Sequence, residues 1–141
     1  MKTAVLLGVA IVLVAALGVL SLVRERGEKL AHLSAARPRL ALGESGLEAL
    51  SEFERGAAPD IYYHVVLQDV PLGGRLDLSC DWVDPAGRVA RRNRYHTRFV
   101  YKATWPTHCH QKFTEVSSSG PWHVRLTMND RVLSDSAFTL R

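Results

Sequence analysis

The run from Ala4 to Val23 carries no charged residue and is broken only by Gly8, Gly18 and Ser21. As a helix rising about 1.5 Å per residue it spans roughly 30 Å, the hydrocarbon thickness of a bilayer. Residues 1–23 therefore read as a transmembrane signal-anchor, and the remainder of the chain is a passenger held at a membrane surface. Met1-Lys2-Thr3 is also how a secretory signal begins, and Val14-Ala15-Ala16 and Ala16-Leu17-Gly18 have cleavage-like spacing. Leu17 to Val23 stays apolar where a cut site wants a polar stretch, so the expectation is an uncleaved anchor.

The short basic head and the extracytoplasmic character of the C-terminal domain place the bulk of the chain outside the cytoplasm. Charge counting opposes this: Arg24, Arg26 and Lys29 after the run outweigh Lys2 and the α-amine before it. Residues 24–59 read as a connector, partly helical, with helix formers from Arg24 to Ala36 ending at Pro38. Leu40 to Arg55 is open between a short helix and an irregular first strand, because Leu47, Leu50 and Phe53 recur at helical spacing while Gly43, Gly46 and Gly56 interrupt it.

From Asp60 the apolar period becomes two. Ile61, Tyr63, Val65 and Leu67 share one face of a strand, and Leu76, Leu78, Cys80 and Trp82 share one face of the next. Pro71-Leu72-Gly73-Gly74 and Asp84-Pro85-Ala86-Gly87 are turns. A further strand is expected to send Tyr95, Thr97, Phe99, Tyr101 and Ala103 inward and Arg94, His96, Arg98 and Lys102 outward. Trp105-Pro106 ends it, a shorter segment runs from about His108 to Val116, and Trp122, Val124, Leu126 and Met128 open a final pair that turns at Asn129-Asp130. Six or seven short strands without interleaved helices predict an all-β, antiparallel sandwich over residues 60–141, preceded by the membrane helix.

Tyr62-Tyr63 before Cys80-Asp81-Trp82-Val83-Asp84-Pro85-Ala86-Gly87, an aromatic strand ending at Trp105, and Gly120-Pro121-Trp122-His123-Val124 with Phe138-Thr139-Leu140 make a layout. It resembles small bacterial immunoglobulin-like domains of unassigned function that sit at the C-terminus of membrane-anchored proteins. The resemblance covers residues 60–141, implies the sandwich and brings no catalytic residues. It departs from antibody domains in that Cys80 and Trp82 are only two apart.

A domain this small has a thin core, and a Cys80 to Cys109 disulfide would staple it. The other states open to these cysteines are free thiols or a metal held by His108, Cys109 and His110, although a regular strand sends Cys109 away from both histidines. No Gly-x-Ser-x-Gly elbow or glycine-rich phosphate loop occurs, and Asp77 and Asp81 are a carboxylate pair on what reads as a solvated face. The expectation is a protein that is not an enzyme and needs no cofactor.

Of the formal charge of +4, much lies in one segment: Arg88, Arg91, Arg92, Arg94, Arg98 and Lys102, with no acid between them. The face carrying Arg94, His96, Arg98 and Lys102, supported by Arg91 and Arg92, reads either as an anion- or partner-binding surface or as a solvated edge that discourages aggregation. An anchored domain outside the cytoplasm would rarely meet nucleic acid. The sequence thus points to a binding or scaffolding module with a protein partner in the envelope, with ligand or metal sensing as the alternative and an envelope enzyme of unknown reaction third.

Overall fold

The computed structural model describes residues 2–141, with side chains from residue 8 onward; the Met1-Lys2-Thr3 head and the first turn of the apolar run therefore lie outside the described side chains. Helix α1 is Lys2–Ala31, and the strands are β1 (Ser34–Leu42), β2 (Glu52–Phe53), β3 (Asp60–Gln68), β4 (Asp77–Val83), β5 (Val89–His96), β6 (Trp105–Lys112), β7 (Gly120–Met128) and β8 (Arg131–Leu140). They form a three-stranded sheet, β1-β3-β6, and a five-stranded sheet, β2-β8-β7-β4-β5. All pairings are antiparallel except the short β2 to β8 contact.

The two sheets pack through the faces that period two singled out. Ile61, Tyr63, Val65 and Leu67 meet Leu78, Cys80, Trp82, Val124 and Leu126 in one buried cluster. Trp82, Phe113, Trp122 and Phe138 interlock at its centre, with Trp82 edge-on to both phenylalanines at 5.9 and 6.1 Å between centroids. Such contacts add about 0.5–1.5 kcal/mol each beyond area burial. The indole N–H of Trp82 donates to Asn93 Oδ1 at 2.7 Å, so the largest buried side chain leaves no unpaired donor. The Cys80–Cys109 disulfide ties β4 of one sheet to β6 of the other.

Three expectations are corrected. The connector is shorter than residues 24–59: β1 pairs along β3 from Ser34↔Gln68 to Leu42↔Ile61, and Phe53 is buried, so the sandwich begins at Ser34. Pro38 does not end the helix but sits in β1 at a bulge between Ala36 and Arg39, where a residue without an N–H costs no ladder bond. Likewise Pro106 lies inside β6, which begins at Trp105. That strand is an edge of its sheet and tolerates the missing donor.

The third correction concerns the basic segment. Strand β5 ends at His96, and residues 97–104 cross irregularly from one sheet to the other. Within the crossing Thr97 and Val100 are buried, whereas Phe99 and Tyr101 are 59% and 66% exposed. Alternation fails there because the chain hydrogen-bonds to the β3–β4 loop, Gly73 N–H to Val100 O at 3.0 Å and Val100 N–H to Gly74 O at 2.8 Å. A loop, rather than a strand face, presents Phe99 and Tyr101.

Helix α1 is long and apolar enough to cross a membrane, and every described side chain from Gly8 to Lys29 is exposed. Its C-terminal end is fastened to the sandwich. Leu30 packs on the core, and Arg131, just after the β7–β8 turn, donates to the carbonyls of Ala31 (3.0 Å), Leu30 (3.1 Å) and Leu33 (2.8 Å). The Leu30 and Ala31 carbonyls are among the acceptors that a helix end leaves without intrahelical donors, and Leu33 follows in the turn to β1.

Candidate functional site: the outer face of the five-stranded sheet

On β5 the register separates the cations. Arg92, Arg94 and His96 stand opposite Asp81, Ser79 and Asp77, on the outward face, whereas Arg91 stands opposite the buried Trp82 and so belongs to the other side of this edge strand. Arg98 and Lys102 are in the crossing loop. The six residues expected to form one surface therefore occupy three places.

Most outward charges are already paired. Arg92 holds Asp81 through both carboxylate oxygens, at 2.6 and 2.8 Å, and this hydrogen bond raises the Arg92 pKa. His96 Nδ1 hydrogen-bonds Asp77. Arg125 and His123 share Asp135 at 2.8 and 3.0 Å. Burial pushes the Asp135 carboxyl up, but these two partners outweigh it and leave the pKa lowered. The Asp77 and Asp81 carboxylates are thus both engaged by their cross-strand neighbours.

Arg94 is the exception among the outward cations of β5. It faces Ser79, not a carboxylate, and has no ion-pair partner among the described residues. Ser79 Oγ is buried without a hydrogen-bond partner, and Thr127 lies across from Ser79 on β7. Arg94, Ser79, Thr127 and the β7–β8 turn residues Asn129 and Asp130 line a concavity of about 660 Å³. Ser79, Thr127 and Asp130 were not among the residues the sequence singled out, because their role depends on β4 lying between β5 and β7.

The opposite sheet carries a second polar cluster. His108 and His110 are exposed on β6, and pairing with β3 sets them beside His64 and Tyr62. Tyr62 stacks on His110 at 4.6 Å between centroids, and His64 lies 5.6 Å from His108. Burial, with Arg39 and His108 nearby, lowers the His64 pKa. Cys109 points the other way into its disulfide, so the ligand set His108, Cys109 and His110 has no thiolate to offer. No group of three metal-ligating side chains comes together among the described residues.

Geometry of this kind is found in known structures. An immunoglobulin-like protein from Pseudomonas aeruginosa superposes with a TM-score of 0.54 at 17% identity, over 78% of this chain and 97% of that one. The fold is immunoglobulin-like. A second structure, the alkylpurine DNA glycosylase AlkC of Pseudomonas fluorescens bound to DNA containing an abasic site analog, matches with a TM-score of 0.53 at 13% identity. The match covers 77% of this chain but only 30% of the glycosylase, so it concerns one part of that enzyme. At these identities the likeness is one of fold, and a sandwich hosts many functions. No protein-family model matches the chain, and no curated protein does.

Proposed function

We propose that this chain is a single-pass membrane protein that holds its immunoglobulin-like domain outside the cytoplasm as a binding or scaffolding module, not an enzyme, for a protein partner of the envelope. The observation that carries this reading is Arg94: one guanidinium with no ion-pair partner among the described residues, in a concavity where Asp81 is held by Arg92 and Asp77 by His96, with Asp130 at its β7–β8 rim. A carboxylate side chain of a partner supplies the missing counter-ion, and the neighbouring pairs give the surrounding contact its register. The disulfide suits an oxidising compartment, and the exposed apolar helix suits an anchor.

Affinity capture of the full-length protein from its own membrane tests the assignment, run beside Arg94→Ser and beside Tyr62→Ser on the other sheet. Expected is a partner retained by Tyr62→Ser and lost with Arg94→Ser, its recovery falling as salt screens the contact. Equal recovery with all three proteins would remove the five-stranded face from consideration. Protease added to intact spheroplasts tests the topology: the domain should be digested, and its protection until lysis would place it in the cytoplasm, as the charges at Arg24, Arg26 and Lys29 would have it.

A further inference from the structure

The end of the sandwich that receives α1 is built from the β3–β4 loop, the β5–β6 crossing and the β7–β8 turn: Asp77 pairs with His96, Ser79 with Thr127, and Ser34 with Gln68. The first two loops are one hydrogen-bonded unit, with Val70 N–H donating to Ala103 O at 2.9 Å in addition to the Gly73 and Gly74 bonds to Val100. This unit lies along the helix. Leu22, Glu25 and Arg26 of α1 and Leu72, Gly73 and Gly74 of the loop line a common cavity of about 410 Å³. A methyl group added at Gly74 would come within 3.2 Å of Arg26 Nη2.

Leu22 belongs to the last turn of the apolar run, and it precedes the core-packed Leu30 by about 12 Å of helix axis at 1.5 Å per residue. The loop unit therefore descends beside the helix to the level where the apolar run ends. Leu72 (64%) and Arg75 are exposed on the β3–β4 loop, and Phe99, Tyr101, Arg98 and Lys102 are exposed on the crossing hydrogen-bonded to it. None of these cations has a carboxylate partner among the described residues, and Lys102 Nζ lies 5.6 Å from the Tyr101 ring centroid. By contrast the exposed Leu47 and Val116, at the far end of the sandwich, stand singly.

We infer that these loops are a second membrane contact: Leu72, Phe99 and Tyr101 enter the interfacial layer of the bilayer that α1 crosses, and Arg75, Arg98 and Lys102 lie against its anionic headgroups. The inference rests on the anchored reading above, and it names the surface of that same bilayer as the occupant because the loops reach the end of the span itself. Aromatic rings with adjoining cations are the side chains that membrane–water interfaces collect. Two attachments, a span and a loop pad, hold the domain in one orientation and leave the five-stranded face free for a partner.

The test uses the full-length protein carrying Phe99→Trp, reconstituted in vesicles of brominated phosphatidylcholine with or without phosphatidylglycerol. Native Trp82 and Trp122 are buried, but Trp105 is half-buried and meets Tyr101 at 5.4 Å between centroids, so every chain compared carries Trp105→Phe and the one without Phe99→Trp supplies the background. The inference expects additional emission that is blue-shifted and quenched by the brominated lipid, more so with phosphatidylglycerol, and less quenched when Arg98 and Lys102 are also changed to serine. Water-like, unquenched emission from a chain that floats with the vesicles would overturn the inference and leave the anchor standing. Quenching indifferent to phosphatidylglycerol and to the serine changes would overturn the headgroup contact. A chain that does not float at all would overturn the anchored reading and the inference with it.

Discussion

Cys80 and Cys109 join an inner strand of the five-stranded sheet to the edge of the smaller one, with their Cα atoms 6.5 Å apart and their positions separated by 29 in sequence. Both are buried, and Cys80 lies in the inward row with Leu78 and Trp82. The bond therefore holds the core from inside instead of pinning a loop.

Replacing both cysteines by serine, or reducing the bond, should lower unfolding free energy by about 3–4 kcal/mol, the chain-entropy value for a loop of this length. Denaturant unfolding of the detergent-solubilised protein with and without reductant measures it. An unchanged midpoint would mean that the bond contributes nothing.

Tyr95 on β5 reaches Thr107 on β6, with 2.8 Å between the hydroxyl oxygens. Burial pushes its pKa up to about 12 from an ordinary value near 10. Because the folded state keeps the proton longer than the unfolded one, the associated stability is intact below pH 10 and is lost as pH rises toward 12. At roughly 1.4 kcal/mol per pKa unit the loss amounts to about 2–3 kcal/mol. Unfolding followed across this range should show it, and Tyr95→Phe should flatten much of the slope. An equally steep decline in the variant would assign it to other groups, Tyr63 among them.

Arg131→Ala removes the donors to Leu30, Ala31 and Leu33 carbonyls while leaving the sheets intact. A cost of about 1 kcal/mol per lost bond is the scale at a half-exposed site. Spin labels on the helix near Arg24 and on the domain should then report a broadened distance distribution with unchanged far-ultraviolet dichroism. An unaltered distribution would show that Leu30 packing alone sets the helix direction.

Asp84 closes the β4–β5 turn, its Oδ1 accepting from the N–H groups of Arg88 (2.9 Å) and Ala86 (3.0 Å). The bond from the Arg88 backbone is the chief cause of its lowered pKa. A depressed carboxyl stabilises the fold above the unfolded pKa, near 4, and the contribution disappears as pH falls through the folded value. Asp84→Ala should therefore destabilise at neutral pH and narrow its deficit in acid. A deficit independent of pH would indicate a packing effect instead.

The apolar run, the sandwich class, the inward rows of β3, β4 and β7 and the cysteine pair were legible along the chain, because each depends on a local period or on which face a residue must bury. Ser34 to Phe53 was not. Its β1 strand is bulged and its β2 pair has two residues, so neither holds a period long enough to read, and only pairing with β3 and β8 makes them strands. The cations mark the same boundary between the two kinds of information. Sequence determined that Arg91 to Lys102 is basic and aromatic, but only the crossing between sheets decided that Arg94 stands among the paired charges of one face while Phe99 and Tyr101 are exposed on a loop. Side-chain alternation lasts only as long as a strand keeps its ladder, and where the chain leaves one sheet for another the direction of each residue is set by its new neighbours.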